Sequence, residues 1–322
     1  MLIIKPLDTA ASLFMKIVFL DSATLGTDIS FSPIEALGQL KCFSSTSPEE
    51  VTERIKNADV VIVNKVLIGK TAIDAASNLK LICVAATGMN NVDISYANSM
   101  GIPVKNAVAY STESVAQITF SHILGLVCNL QYFDRTVKSG EYSKSKHFTC
   151  TDRTFFELKG KNFGIIGMGT IGKRVAEIAT MFGARVSYYS TNGVPHCKEY
   201  PSLSLDELLA KSDIISIHAP LNDKTKNLIS LEQLKRMKTS AFIVNMGRGG
   251  IINEEDLVKA LNFDIIAGAA VDVYEKEPIP SDHPYLKIKD TEKIILSPHI
   301  GWASKEAREL LIDMIAANIK SI

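Results

Sequence analysis

The chain has 322 residues, enough for two domains that each bury a core of their own. Hydrophobic residues make up 46% and charged residues 22%, the mix of a globular protein in water. The 35 basic side chains balance 35 acidic ones without a basic cluster, which makes nucleic acid and anionic membranes poor partners.

Five scattered cysteines, Cys42, Cys83, Cys128, Cys150 and Cys197, show neither a CxxC nor a zinc-like spacing. Reduced thiols in a cytoplasm are the simplest account, and no metal is expected. The segment 118–130 is apolar but too short to span a bilayer, and it contains Ser121, His122 and Asn129, so a buried helix is the better reading. Residues 1–14 fit no secretory pattern. Because 15–20 looks like the opening strand of a domain, they are expected to be an N-terminal extension.

From residue 16 to about 105, apolar runs at 17–20, 60–63, 81–84 and 102–104 alternate with helical stretches at 48–56, 70–76 and 93–100. Such alternation implies right-handed crossovers and a parallel sheet covered on both faces. One long helix is expected over 112–138, followed by an exposed arm over 139–154. Alternation resumes with strands at 163–166, 186–189, 214–217, 242–244 and 265–269. A last helix, about 304–319, has no sheet of its own to cover and should return to the first lobe. The expected fold is α/β, with two Rossmann-like lobes of parallel sheet and a cleft between them. A flavodoxin-like substrate domain (15–111 with 297–322) is discontinuous, and 112–296 forms the dinucleotide-binding domain.

The stretch that organises the second lobe is Phe163-Gly164-Ile165-Ile166-Gly167-Met168-Gly169-Thr170-Ile171-Gly172. A short apolar strand runs into Gly167-x-Gly169-x-x-Gly172, and helical spacing follows at Ile171, Val175, Ile178 and Ala179. Glycines serve there because the turn needs unusual backbone angles, a pyrophosphate must approach the main chain, and the helix must pack closely on the strand. The helix start then offers unpaired N–H groups to that anion.

Ligands of open parallel sheets bind beyond the carboxyl ends of the strands. Four loops that leave such ends carry chemistry. Ala85-Ala86-Thr87-Gly88-Met89 follows 81–84 and could cradle a carboxylate on backbone N–H groups. Asn245-Met246-Gly247-Arg248-Gly249 sets a guanidinium among glycines, suited to grip a carboxylate with two parallel hydrogen bonds. Asp272, Glu275 and Glu277 lie in a loop where an acid could orient another side chain, and Ser297-Pro298-His299 puts a histidine after an apolar run. Arginine, acid and histidine together suit reduction of a 2-keto acid, with the histidine as proton donor.

These residues resemble the D-isomer-specific 2-hydroxyacid dehydrogenases. The likeness runs from about residue 16 to the end through Thr87-Gly88 with Val92-Asp93, Gly101-Ile102-Pro103-Val104, Ser114-Val115-Ala116-Gln117, the glycine turn, His218-Ala219-Pro220-Leu221 with Thr225, residues 245–249, Asp272-Val273 through Glu277-Pro278, and Pro298-His299. The resemblance implies catalysis by Arg248, Glu277 and His299, with Arg248 on the substrate, His299 as general acid or base and Glu277 as its partner. It implies substrate contacts at Thr87, Gly88, Met89 and Trp302, the indole matching the glycerate dehydrogenase and hydroxypyruvate reductase subgroup. For the cofactor it implies Gly167, Gly169, Thr170, Ile171, Gly172, Ser190, Ala219, Pro220, Thr225, Met246, Gly247, Asp272 and His299, with Asp272 near the nicotinamide amide. It also implies a homodimer joined through the nucleotide lobes.

One departure stands out. NAD-preferring lobes usually carry an acid about 20 residues past the glycines, where this chain has Tyr188-Tyr189-Ser190-Thr191-Asn192. NAD is the expected cofactor and NADP the alternative. The expected activity is hydride transfer between a nicotinamide and C2 of a short 2-keto or D-2-hydroxy acid, with hydroxypyruvate/glycerate or glyoxylate favoured. The rival of another class is an NAD(H)-sensing regulator of the corepressor type on the same fold.

Overall fold

The computed structural model describes residues 15–322, so the extension expected over 1–14 lies outside the described residues. The chain divides into two units: the residues up to Tyr110 together with Ala303–Ile322, and Ser111–Trp302.

The first unit is built on β1 (Met15–Phe19), β2 (Gly38–Cys42), β3 (Val60–Val63), β4 (Leu81–Val84) and β5 (Val104–Asn106), all parallel in the order β2-β1-β3-β4-β5. This is the flavodoxin-like order. The Val-Val-Ile-Val of β3 and Leu-Ile-Cys-Val of β4 are buried throughout because both faces of a central parallel strand are covered. The apolar runs of the sequence missed β2. As an edge strand with Gln39, Lys41 and Cys42 exposed, it needs no apolar run. The strand read at 102–104 begins instead at Val104, because Ile102 closes a turn on the Ala97 carbonyl.

Helices α1 (Ser32–Glu35), α2 (Val51–Ile55), α3 (Lys70–Ala75) and α4 (Ile94–Ser99) connect these strands. The C-terminal helix, Lys305–Lys320, is capped by Ser304, whose hydroxyl accepts from Ala307 N. It packs on α1 and β4. Its Arg308 guanidinium meets the Asp28 carboxylate at 2.5 and 3.0 Å, and Asn318 donates to the Asn106 carbonyl at 3.0 Å.

The second unit carries β6 (Asn162–Ile166), β7 (Arg185–Tyr189), β8 (Ile214–Ile217), β9 (Phe242–Asn245), β10 (Gly268–Val271) and β11 (Ile294–Leu296), parallel in the order β11-β10-β9-β8-β6-β7. A single parallel bridge from Tyr188 to Ser202 extends the edge beyond β7. With it the order reads 3-2-1-4-5-6-7, the 3-2-1-4-5-6 of dinucleotide-binding sheets with one further strand, β11, at the edge. Side chains alternate between two cores. On one face Phe163, Ile165, Val244 and Ala270 pack under α5 (Thr112–Val127) and α7 (Thr170–Met181). On the other, Ile166, Ile215, Ile243 and Val271 pack under α8 (Leu205–Lys211), α9 (Leu231–Leu234) and α10 (Glu254–Asn262).

Three expectations need correction. The helix expected over 112–138 is two, α5 and α6 (Leu130–Lys138), parted at Asn129, whose φ of 50° is left-handed. Asparagine tolerates that region where most residues do not. The strand expected at 265–269 starts at Gly268, because Asp264 turns with φ 55° and Ile265 N bonds back to the Ala260 carbonyl to close α10. Finally, residues 297–302 belong to the second unit and not to the first. The Asp272 carboxylate and the Ser114 hydroxyl, both of the second unit, hold their main chain.

Candidate active site

At the glycine turn, Gly167 has φ +95°, and a Cβ there would fall 2.7 Å from Ala219 N. A Cβ on Gly172 would fall 2.2 Å from the Gly167 carbonyl oxygen, so these two positions exclude side chains for packing reasons. Gly169 differs, since a Cβ there meets nothing within 4 Å. It is the N-cap of the 12-residue α7 and, lacking a side chain, makes no capping bond to the first N–H groups of the helix. A cavity of about 520 Å³ lies there, lined in part by Met168, Gly169, Thr170, Lys173 and His196. An open Gly169 and an uncapped helix start with basic neighbours fit a pyrophosphate. Ile171 is half-buried and packs against the core beneath α7.

Other residues expected at the cofactor have structural duties. Ser190 is buried, its hydroxyl 2.6 Å from Asn192 Oδ1 and 2.7 Å from the Val194 carbonyl, closing its own turn. Thr225 is fully buried. Its hydroxyl donates to the Pro220 carbonyl (2.7 Å) and accepts from Asn222 N (2.8 Å), so it shapes the loop carrying Ala219 and Pro220. Gly247 leaves room for the Ala219 carbonyl, 2.7 Å from where its Cβ would lie, and Met246 is buried. His218, at the end of β8, lies 2.8 Å from Ser216 through Nε2, while its Nδ1 is buried without a partner among the described residues. Burial pushes its pKa down to about 3, so the ring is neutral.

In the first unit, the loop after β4 holds an exposed Thr87 with Gly88 and Met89 half-buried. Thr87 Oγ1 donates to the Ala107 carbonyl at 3.1 Å, and the Thr87 carbonyl accepts from Asn106 Nδ2 at 2.6 Å.

The loops after β9, β10 and β11, three adjacent parallel strands, leave one edge of the second sheet. After β9, buried Asn245 folds the turn by accepting from Gly247 N and donating to the Arg248 carbonyl. Arg248 is thereby left exposed, with Nη1 2.8 Å from the Gly247 carbonyl. After β11, His299 has φ +54°, left-handed and unfavourable for its type. Asp272, at the end of β10 and buried, holds that turn by accepting from Ser297 Oγ (2.5 Å), Ile300 N (2.8 Å) and Gly301 N (2.8 Å). Ser114 of α5 adds a 2.6 Å bond to the Gly301 carbonyl.

The ring so aimed puts Nδ1 2.7 Å from Glu277 Oε2, and Glu277 Oε1 accepts from Tyr274 N at 3.0 Å. The peptide between Glu277 and Pro278 is cis. The structure thus joins Glu277 to His299 across 22 residues of sequence. Trp302, three residues on, is half-buried. The sequence assigns no role to Asn245 and Ser297 within their loops and does not single out Tyr274 or His196, whose Nε2 lies 2.9 Å from the Met168 carbonyl of the glycine turn. Each acts through main-chain contacts that no motif spacing displays. Among the described residues no group of three His, Cys, Asp or Glu could hold a metal ion.

A glycine turn of this form opening a doubly wound parallel sheet is the arrangement of a dinucleotide-binding protein, and the acid–histidine pair at the sheet's carboxyl edge suits a dehydrogenase. Residues 120–301 match the family model for the NAD binding domain of D-isomer specific 2-hydroxyacid dehydrogenases. Similar proteins include the hydroxypyruvate reductase of Blautia hydrogenotrophica, 37% identical over 95% of this chain and 96% of that one. The glycerate dehydrogenase of Methylorubrum extorquens is 36% identical over 95% of each. A crystal structure of D-lactate dehydrogenase from Aquifex aeolicus with NAD and lactic acid superposes with a TM-score of 0.81 at 26% identity, covering 95% of this chain and 94% of that one. The chain belongs to the D-isomer-specific 2-hydroxyacid dehydrogenase family. It is an oxidoreductase that interconverts a 2-keto acid and a 2-hydroxy acid with a nicotinamide cofactor.

Proposed function

We propose that the second unit reduces a short 2-keto acid, hydroxypyruvate or glyoxylate, to its D-2-hydroxy acid, with His299 as proton donor. The observation that carries this reading is the 2.7 Å bond between His299 Nδ1 and Glu277, with both side chains partly open to solvent, at 22% and 31% exposure. With Nδ1 committed to the acid, Nε2 is the nitrogen that exchanges a proton with the substrate oxygen. Glu277 holds the ring's orientation through that bond. Arg248 on the neighbouring loop grips the substrate carboxylate with a planar pair of N–H donors, and Trp302 narrows the pocket to a short side chain. A nicotinamide bound over the glycine turn supplies the hydride to C2 when reduced. Gly167, Gly169, Thr170 and Gly172 would hold its dinucleotide on the α7 N-terminus. NAD is the preferred form, and similar proteins named hydroxypyruvate reductase and glyoxylate reductase support those two substrates.

The protein works as a homodimer in the cytoplasm. Exposed Leu130, Val137, Phe148 and Phe155 on α6 and the arm that follows support the association, and five unbridged cysteines support a reducing compartment. No helix among the described residues is long and apolar enough to cross a membrane.

The test is loss of NADH absorbance with a panel of 2-keto acids, with NADPH run in parallel. Turnover highest on hydroxypyruvate or glyoxylate supports the reading. Tight NADH binding without turnover on any 2-keto acid would favour a sensor and sink it.

A further inference from the structure

Three loops of the second unit meet at Tyr274. Its main-chain N–H donates to Glu277 Oε1 at 3.0 Å, and its phenol O–H donates to the Ser297 carbonyl at 2.9 Å, two residues before His299. Its carbonyl carbon lies 1.9 Å from where a Cβ on Gly249 would fall, so the turn that carries Arg248 presses on the Tyr274 peptide with no room for a side chain. The ring is 9% exposed and wedged edge-on against His283, centroids 5.7 Å apart, with Tyr285 at 6.2 Å. Burial and the carboxylates of Asp272, Glu277 and Glu254 push the phenol up to about 12, so it keeps its proton and remains a donor.

Proton transfer tolerates little misplacement, since a 1 Å error can cost ~10²-fold. Glu277 stands in an exposed loop and His299 on a strained turn, and the bond between them needs a common support. We propose that Tyr274 is the positioning residue of this site: its peptide fixes the acid, its hydroxyl fixes the strand end that carries the histidine, and its packing on Gly249 fixes the arginine turn. The inference rests on the reading of Glu277 and His299 as the proton-transfer pair. It extends that reading to a residue that touches no substrate.

Tyr274→Phe keeps the ring and removes the hydroxyl. In the full-length enzyme we expect kcat for hydroxypyruvate reduction to fall about 10-fold, or ~1.4 kcal/mol. The keto-acid KM and the NADH Kd, read from quenching of protein fluorescence, should stay within about 2-fold. In a Glu277→Gln background the same change should cost less than about 2-fold, because the charged contact whose geometry the hydroxyl sets has already become a weaker neutral one. Gly249→Ala, which must displace the Tyr274 peptide, should likewise lower kcat while sparing NADH affinity. Full kcat in Tyr274→Phe or in Gly249→Ala overturns the proposal, as does an undiminished 10-fold loss in the Glu277→Gln background. Glu277→Gln alone, measured first, tests the underlying reading, and unchanged kcat there would overturn that reading separately.

Discussion

The second unit holds two acid–histidine pairs that share one bond and little else. Glu277 and His299 meet at 2.7 Å with 31% and 22% of their side chains exposed. Glu254 and His283 meet at 2.9 Å with 12% and 3% exposed. In the buried pair both ring nitrogens are used, Nε2 toward Glu254 and Nδ1 accepting from Tyr285 N. Nδ1 thus serves as an acceptor and Nε2 as the donor to the acid, so neither nitrogen is left for a substrate. The same Glu254 accepts from Glu275 N, so this pair pins α10 to the loop of Glu277. In the partly exposed pair only Nδ1 has a partner among the described residues, and the backbone of His299 is held in the left-handed region by Asp272. An acid beside a histidine is therefore no sign of catalysis in itself. What separates the two, in the mechanism we propose, is a partly exposed ring with one nitrogen outside the ion pair and a left-handed turn that the surroundings maintain.

The sharpest way to break the comparison is to delete each ring. His299→Ala should lower keto-acid reduction by ~10²–10⁴-fold with NADH affinity and thermal midpoint nearly unchanged. A loss confined to stability would make the two pairs alike. His283→Ala should do the reverse, destabilising the fold by about 3 kcal/mol in urea unfolding through a cavity and a stranded carboxylate. Its kcat, measured where the chain is folded, should fall far less than that of His299→Ala.

A third histidine sharpens the contrast through pH. His218 is neutral when folded, with its pKa lowered from 6.5 to about 3. Between those values the unfolded chain binds a proton that the folded chain does not. Its contribution is thus complete above about pH 6.5 and drains away as pH falls toward 3, at up to ~1.4 kcal/mol per pH unit. Urea unfolding at pH 7 and pH 5 should show up to ~2 kcal/mol lost from this residue, and a His218→Gln variant should lack that part of the slope. The smallest effect is expected from Ser114→Ala, which removes the 2.6 Å bond to the Gly301 carbonyl beyond His299. It should cost about 1 kcal/mol of stability and raise the mobility of the 297–302 turn in hydrogen exchange.

Much of this was legible in the order of residues, because it depends on near neighbours. Buried central strands need unbroken apolar runs, so the stretches at 60–63, 81–84 and 214–217 coincide with β3, β4 and β8. The glycine turn is a local solution to sterics, and Gly167 and Gly172 show the close approaches that demand it. Edge strand β2 was not legible because an exposed strand carries no apolar run, nor was the break at Asn129, where apolar spacing continues across the kink. In the site, arginine, acid and histidine could be named from their loops and from family likeness. The pairing of Glu277 with His299 across 22 residues came only from family likeness, and that of Glu254 with His283 across 29 residues was not legible at all.

By itself the sequence determined two parallel α/β lobes, the glycine turn and the loops to which we assign the chemistry, since each follows from periodicity and from motif spacing within about ten residues. Only the tertiary structure decided that Asp272 grips the histidine turn, that Tyr274 stands under three loops at once, and that His283 is sealed while His299 is open. Those outcomes depend on which strands lie side by side at the sheet edge and on how much water each ring retains.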